Sequence, residues 1–265
     1  MRERGDHVDY QSLTDTAVLA GEIMLKNNAE TYRCEETITH MLEAQKPARV
    51  EAVVLTTSIL VTASDRDMHP ITVVRRIKNR DTNLNRICRV NEISRRFCSG
   101  ALTLEETREE LMSVSREKIY RPHLVNLCLV LVSIFYTMLL GGHAVDCLNA
   151  AVCGILMAAL TYAGNRIGLR PFIRDFCICA SIAVCACAVG RFLPVPVHLD
   201  LIIIATMMPM MPGVAVTNAA RDTLQGDYMS GGARMLEAFV KALAIALGVG
   251  LGLGICSLFG WEVLL

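Results

Sequence analysis

Long uncharged stretches dominate the second half of the chain. They run over Leu124–Val145, Cys147–Asn165, Phe176–Gly190, Leu201–Ala220 and Ala242–Trp261. A helix needs about 20 apolar residues to cross a bilayer core roughly 30 Å thick. The third stretch is short, but it extends to Leu193 if Arg191 reaches the lipid headgroups. The pattern therefore predicts five transmembrane helices, near residues 124–141, 144–163, 175–193, 200–218 and 235–260.

In the first 121 residues the apolar positions form shorter stretches, interrupted by charged residues, as is typical of a globular domain. Residues 11–45 repeat apolar positions at helical spacing, with Asn27-Asn28 as a break between two helices. Residues 49–77 contain β-branched runs separated by polar turns, which predicts two or three antiparallel strands. Residues 82–97 and 103–118 are helical again, and Thr103 and Glu106 have the spacing of a capping box.

These elements predict an α-helical membrane protein. A small α+β domain over residues 1–121 precedes a transmembrane domain of five helices over residues 122–265. Charge supports the division, because 38 of the 52 Asp, Glu, Lys and Arg residues lie in the first 121 positions. Lipid is therefore an expected partner of the second domain.

Composition excludes some classes of protein. The formal net charge of zero argues against a nucleic-acid partner, which favours a basic patch. The segment Met1–His7 has no apolar run, so we expect no cleavable secretory signal. Eight of the eleven cysteines lie in or beside the predicted helices, where cysteine packs as a small apolar residue. No metal site and no cofactor are predicted.

Basic residues in the short loops predict the orientation. These residues are Arg166, Arg170 and Arg174 after the second helix, and Arg221 and Arg234 before the fifth. Positively charged loops favour the cytoplasmic side of a membrane. We therefore expect a cytoplasmic N-terminal domain and a C-terminus on the outside.

The fourth predicted helix carries a break. Pro209 and Pro212 each remove a backbone N–H and clash with the preceding turn, and Gly213 adds conformational freedom. In transporters, such broken helices line the substrate or ion site, whereas the alternative here is a kinked structural helix. The polar positions on either side of the break are Thr206, Thr217 and Asn218.

Further candidates for a substrate pathway lie near the helix ends. They are Asp146, Asn149, Asp222, Arg234, Glu237 and Lys241. Glu237 and Lys241 are four residues apart, so they can pair on one helix face.

A catalytic set is the competing interpretation of the polar residues in the first domain. A nucleophile, a base and an orienting group could come from Thr56, Thr57, Ser58, Ser64, Asp65 and His69. Residues of these types also occur routinely in turns, where they bond their own backbone. The sequence therefore predicts no catalytic residue, and a membrane-anchored hydrolase or sensor remains an alternative.

Two stretches resemble the threonine/serine exporter family of bacterial membrane proteins. The first runs from Ala20 to Ile38, and it contains Glu30, Thr31, Arg33 and Glu35 of the family pattern, with Asn28 where many members have glycine. The second runs from Pro212 to Arg234, and its motif positions are Asn218, Arg221, Asp222, Gly226, Asp227 and Gly231. Gly141, Gly142 and Asp146 form a weaker third match.

The resemblance implies export of a small polar substrate, threonine or serine, across the bacterial cytoplasmic (inner) membrane. No G-x-x-x-x-G-K-[ST] motif occurs, so we expect a secondary transporter driven by an ion or proton gradient. Single-chain members of the family have about ten transmembrane helices. This chain therefore resembles the larger, five-helix subunit of a split two-component exporter with a smaller companion membrane protein. A homo-oligomer and a dicarboxylate substrate of the succinate type are the alternatives.

Overall fold

The computed structural model describes residues 9–45, 47, 49–64, 69–78, 80–117, 120–193 and 196–261. These residues form two compact units. The first comprises Met1–Glu117 with Val214–Met235, and the second comprises Lys118–Gly213 with Leu236–Leu265. The sequence assigned all of 122–265 to one domain, whereas the structure packs residues 214–235 with the N-terminal unit. The division at residue 121 as a membrane boundary stays a prediction.

The first unit begins with two helices, α1 (Tyr10–Lys26) and α2 (Thr31–Glu43). The side chain of Asp9 caps α1 by accepting from the backbone N–H groups of Gln11 and Ser12. The chain leaves the helix at Asn27 and Asn28, so the predicted break is confirmed. Apolar residues on one face of α1, including Leu13 and Met24, are fully buried.

Three antiparallel strands follow in the order β1–β2–β3: β1 (Arg49–Leu55), β2 (Ser58–Ser64) and β3 (Ile71–Arg76). Val54 pairs with Ile59, and Val61 pairs with Val73. These residues lie on the buried face of the sheet, which packs into the same core as α1 and α2. The β-branched runs therefore form the strands that the sequence predicts.

Two more helices complete the N-terminal part of this unit, α3 (Leu84–Cys98) and α4 (Leu104–Arg116). The capping box of α4 is confirmed: Thr103 N–H donates to Oε2 of Glu106 at 2.8 Å, and Glu106 N–H donates to Oγ1 of Thr103 at 3.3 Å.

The remaining elements are α5 (Pro122–Leu139), α6 (Ala144–Ile167), α7 (Pro171–Phe192), α8 (Leu199–Met207), a 3₁₀ turn (Met208–Met210), α9 (Gly213–Leu224) and α10 (Tyr228–Leu258). Among the described residues, four helices are long and apolar enough to cross a membrane: α5, α6, α7 and α10. A fifth candidate is the pair Leu199–Met210 and Gly213–Leu224, which is bent by 56° at its break. The chain is thus an α-helical membrane protein, and the predicted interruption at Pro209 and Pro212 is confirmed.

Small residues set the packing of the second unit. A Cβ added at Gly248 would lie 2.5 Å from the carbonyl oxygen of Phe176, and one added at Gly252 would lie 2.6 Å from that of Ala180. α10 therefore approaches the backbone of α7 at these two glycines. Cysteines share this core: Cys153, Cys179, Cys187 and Cys256 are buried, and all eleven cysteines are free thiols.

Candidate functional site

The turn between α1 and α2 is the centre of the polar cluster in the first unit. Asn28 has a φ of 70°. Most L-residues avoid this left-handed region, but glycine occupies it freely and asparagine tolerates it. Asn28 therefore fits this conformation better than most other residues would. The conformation also leaves the carbonyl oxygens of Asn28 and Ala29 available to side chains from α9 and α10.

Arg234 of α10 binds this turn. Its Nη1 donates to Oδ1 of Asn28 at 2.7 Å, and its Nη2 donates to the carbonyl oxygen of Ala29 at 2.6 Å. Asn218 of α9 adds a third bond, from Nδ2 to the carbonyl oxygen of Asn28 at 2.8 Å. Arg234 is only 1% exposed, so it is a buried cation within α10 and not the loop residue that the orientation argument assumed.

Asp222 of α9 is the counter-ion of Arg234. Its Oδ2 lies 2.9 Å from Nε of Arg234, and the carboxylate is fully buried. Thr31 also approaches Asp222 through its backbone N–H and its hydroxyl group, and this hydroxyl donates to Oδ2 of Asp227 at 2.9 Å. Within the described part of the chain, none of these donors makes a well-aligned hydrogen bond to the carboxylate of Asp222.

Glu30 forms the outer part of the cluster. It lies at the N-cap position of α2 and pairs with two arginines, Arg33 at 2.9 Å and Arg221 of α9. Both arginine side chains are 47% exposed, whereas that of Glu30 is 10% exposed. The pair with Arg221 joins α2 to α9, the pair with Arg33 lies within the first turn of α2, and solvent weakens both.

Asp227 organises the connection between α9 and α10. Its Oδ1 accepts from the backbone N–H of Ser230 at 3.1 Å, which caps the first turn of α10. The preceding Gly226 has a φ of 91°, so the turn there requires a left-handed conformation. Gly231 lies one turn into α10, where an added Cβ would be 2.2 Å from Oγ1 of Thr223. The motif glycines therefore permit the tight α9–α10 corner.

Two residues of α2 lie beside the cluster. Burial raises the pKa of the Cys34 thiol to about 12, so this thiol is protonated at neutral pH. Burial also raises the pKa of Glu35, the carboxylates of Asp227 and Asp222 raise it further, and a hydrogen bond from the N–H of Val54 at 2.7 Å opposes the shift.

A second polar cluster lies in the second unit, at the start of α6. The carboxylate of Asp146 is 1% exposed and accepts from the N–H of His143 at 2.8 Å and from the N–H of His198 at 2.9 Å. Nδ1 of His198 also lies 2.9 Å from Oδ2 of Asp146. Asp146 thus joins the N-termini of α6 and α8. The sequence analysis missed His198 because 52 residues separate it from Asp146 and no local motif marks the pair.

Asn149 and Thr206 use their polar groups within the helix packing. Nδ2 of Asn149 donates to the carbonyl oxygen of Ala186 at 3.0 Å, and Oγ1 of Thr206 donates to that of Ile202 at 2.8 Å. Both residues are fully buried. Bonds of this kind satisfy polar groups in an apolar setting, which is the structural alternative to a role in substrate binding.

The other predicted positions lie apart from these two clusters. Pro209 is in the 3₁₀ turn, and Pro212 precedes α9, whose first residue is Gly213. Thr217 is exposed on α9, Glu237 is exposed on α10, and Lys241 is half-buried on α10. Within the alternative catalytic set, Thr56 lies in the β1–β2 turn, and Asp65 lies outside the described residues.

Comparisons with known proteins complete this description. The model of the family described as "Putative threonine/serine exporter" matches residues 15–256. A protein of Mycobacterium tuberculosis (strain ATCC 25618 / H37Rv), named "Probable threonine/serine exporter", is 23% identical over 239 residues. The match covers 88% of this chain and 44% of that protein, so the chain spans less than half the length of this relative. No solved structure gives a significant match.

Proposed function

Because this chain belongs to the threonine/serine exporter family, we propose that it is a transporter subunit that exports small hydroxy amino acids, threonine and serine. The observation that carries the proposal is the buried Asp222–Arg234 pair. It lies where α9, the second half of the interrupted crossing, meets the start of α10. Breaks of this kind are where membrane transporters place polar binding groups.

The chemistry of the pair suits a zwitterionic substrate. Such a substrate needs an acceptor for its ammonium group and a donor for its carboxylate. Asp222 offers a carboxylate, and Arg234 supplies the neighbouring cation. A buried ion pair is weak support for stability, because desolvation offsets much of the attraction. A role in recognition accounts for its presence better than stability does.

The proposed energy source is a proton gradient, and the Asp146–His198 pair is the proposed proton-binding group. A buried carboxylate next to an imidazole resembles the acid–histidine relays that carry protons through membrane proteins. The pair fixes the N-terminus of α8, the first half of the interrupted crossing, through the backbone N–H of His198. A change in its protonation would therefore act directly on that segment.

We further propose that the protein lies in the cytoplasmic membrane with its N-terminal domain in the cytoplasm. Arg166, Arg170 and Arg174 around the α6–α7 connection support this orientation, although Arg234 no longer counts toward it. A smaller companion membrane protein of the same family is the proposed partner. The support is the resemblance of this chain to the larger subunit of split exporters. Co-purification of such a protein with the tagged chain from native membranes tests the partnership.

Efflux of labelled substrate tests the transport proposal. Cells with and without the gene are loaded with radiolabelled threonine, serine or succinate, and release is followed with time. We expect faster release of threonine and serine only when the gene is present, and at least a roughly tenfold loss in Asp222→Asn. Asp200→Asn, at an exposed position of α8, is the matched control at equal protein level.

Two results would overturn the transport proposal. Equal release of threonine and serine with and without the gene would remove both substrates. Gene-dependent release of succinate alone would assign a dicarboxylate cargo instead.

A further inference from the structure

A cavity of about 330 Å³ lies in the first unit, away from the Asp222–Arg234 pair. The C-terminal half of α1, the segment after β3, the start of α3 and the end of α4 form its walls. Its polar lining residues are Glu22, Lys26, Asn27, Arg80, Asp81, Arg86 and Ser115. The volume is at the lower end of the range for small-molecule sites, which suits a ligand the size of an amino acid.

The cavity contains charges of both signs. Glu22 and Asp81 are anionic, whereas Lys26, Arg80 and Arg86 are cationic. Glu22 and Lys26 pair along α1, and the carboxylate of Asp81 accepts from the backbone N–H of Thr82 at 2.8 Å. A lining of this kind complements a zwitterion better than it complements an anion or a cation alone.

Arg86 lines the cavity with a fixed guanidinium group. Its Nη2 donates to the carbonyl oxygen of Glu117 at 2.7 Å, which fixes one edge of the guanidinium. Its Nε has almost no accessible surface and meets no hydrogen-bond acceptor among the described residues. A ligand carboxylate would therefore pair with the positive charge of Arg86 and not with this atom.

One wall of the cavity belongs to the α1–α2 turn, which is hydrogen-bonded to α9 and α10. Asn27 lines the cavity, and the next residue, Asn28, accepts the hydrogen bonds from Asn218 and Arg234. The N–H of Asp81 also donates to the carbonyl oxygen of Lys26 at 2.9 Å. A ligand that orders this wall would therefore favour one arrangement of the turn, and such coupling acts in both directions.

We propose that this cavity is a regulatory binding site for a small zwitterionic amino acid, separate from the transport pathway. Arg86 and Arg80 bind the ligand carboxylate, and Glu22 and Asp81 bind its ammonium group. Ser115, at the end of α4, offers a hydroxyl to a polar side chain of the ligand. The ligand class follows from the charges of the cavity and does not depend on the proposed transport activity.

Hydrogen–deuterium exchange on the full-length protein in detergent tests the site. The probes are L-threonine, L-serine and succinate, titrated into the wild type, Arg86→Gln, Glu22→Gln and the control Arg95→Gln, which is exposed on the same helix. We expect both amino acids to slow exchange in residues 22–31 and 80–86, and succinate to have no effect. Arg86→Gln and Glu22→Gln should each weaken the apparent affinity about tenfold.

Three outcomes would overturn the proposal: no protection by either amino acid, protection by succinate alone, or equal protection in Arg86→Gln and the wild type. If Arg86→Gln does not fold, Glu22→Gln carries the test, because Glu22 is partly exposed and its replacement leaves the bond to Glu117 intact. Exchange is measured without transport. Failure of the efflux experiment and failure of this one are therefore distinguishable.

Discussion

Glu35 is a side chain through which the stability of the first unit depends on pH. Its carboxyl group is half-buried between β1 and the acidic residues Asp222 and Asp227. Burial and these two negative charges disfavour ionisation, so its pKa is raised above the ordinary 4.5. Below pH 4.5 the residue is protonated in both the folded and the unfolded chain, and it then contributes no pH dependence.

Above that pH the unfolded chain releases the proton first, so stability falls as the pH rises to the raised pKa of Glu35. We expect Glu35→Gln to remove this pH-dependent part of the stability. The Tm of the variant should differ from that of the wild type by at most about 3 °C, because solvent screens the group. Thermal unfolding of the full chain in detergent across pH 4–8 measures it. Glu36→Gln, at the exposed neighbouring position, should follow the wild type. Identical pH profiles for both variants would contradict the assignment.

The α9–α10 corner depends on close helix approach at one glycine. An added Cβ at Gly231 would lie 2.2 Å from Oγ1 of Thr223 and 3.0 Å from the carbonyl oxygen of Ala219, whereas one added at Gly232 has no neighbour within 4 Å. Gly231→Ala should therefore destabilise the protein by about 1–3 kcal/mol. Gly232→Ala should be neutral or stabilising by up to about 1 kcal/mol, because alanine favours the helix.

Denaturant unfolding of the two alanine variants in the same detergent provides the comparison. The residues are adjacent on one helix, so any difference between them reports local packing and not helix propensity. If both substitutions shift the midpoint equally, α9 and α10 do not approach as closely as the structure places them.

Local sequence signals predict most of the helices and strands, whereas the contacts of the candidate site join residues that are far apart in the sequence. The capping box at Thr103, the break at Asn28 and the interruption at Pro212 each depend on neighbours within a few residues. The bond from Arg234 to Asn28 joins positions 206 apart in sequence. No periodicity reveals such a contact, so Arg234 was assigned to a loop although the fold buries it. The motif residues around Asp222 were predicted as candidates, but their partners in the α1–α2 turn were not.

At the level of the whole molecule, the chain passes between the two units within the interrupted crossing and again within α10. α8 belongs to the second unit and α9 to the first, while α10 begins in the first and continues in the second. The polar clusters follow the same division, with Asp146–His198 in one unit and Asp222–Arg234 in the other. In the proposed transport cycle the driving-ion group and the substrate group must be coupled, and α8 and α9 connect the two units along the chain.

This coupling predicts how efflux responds to a proton gradient. In cells loaded with labelled threonine, lowering the external pH should accelerate efflux in the wild type, because the proposed proton-binding group is Asp146 with His198. His198→Gln should reduce that acceleration roughly tenfold, since the carboxylate then lacks its imidazole partner. His123→Gln, an exposed histidine in the first turn of α5, is the control and should retain the response. Unchanged acceleration in His198→Gln would exclude this pair as the proton-binding group, whereas loss in both variants would indicate a general effect of histidine removal.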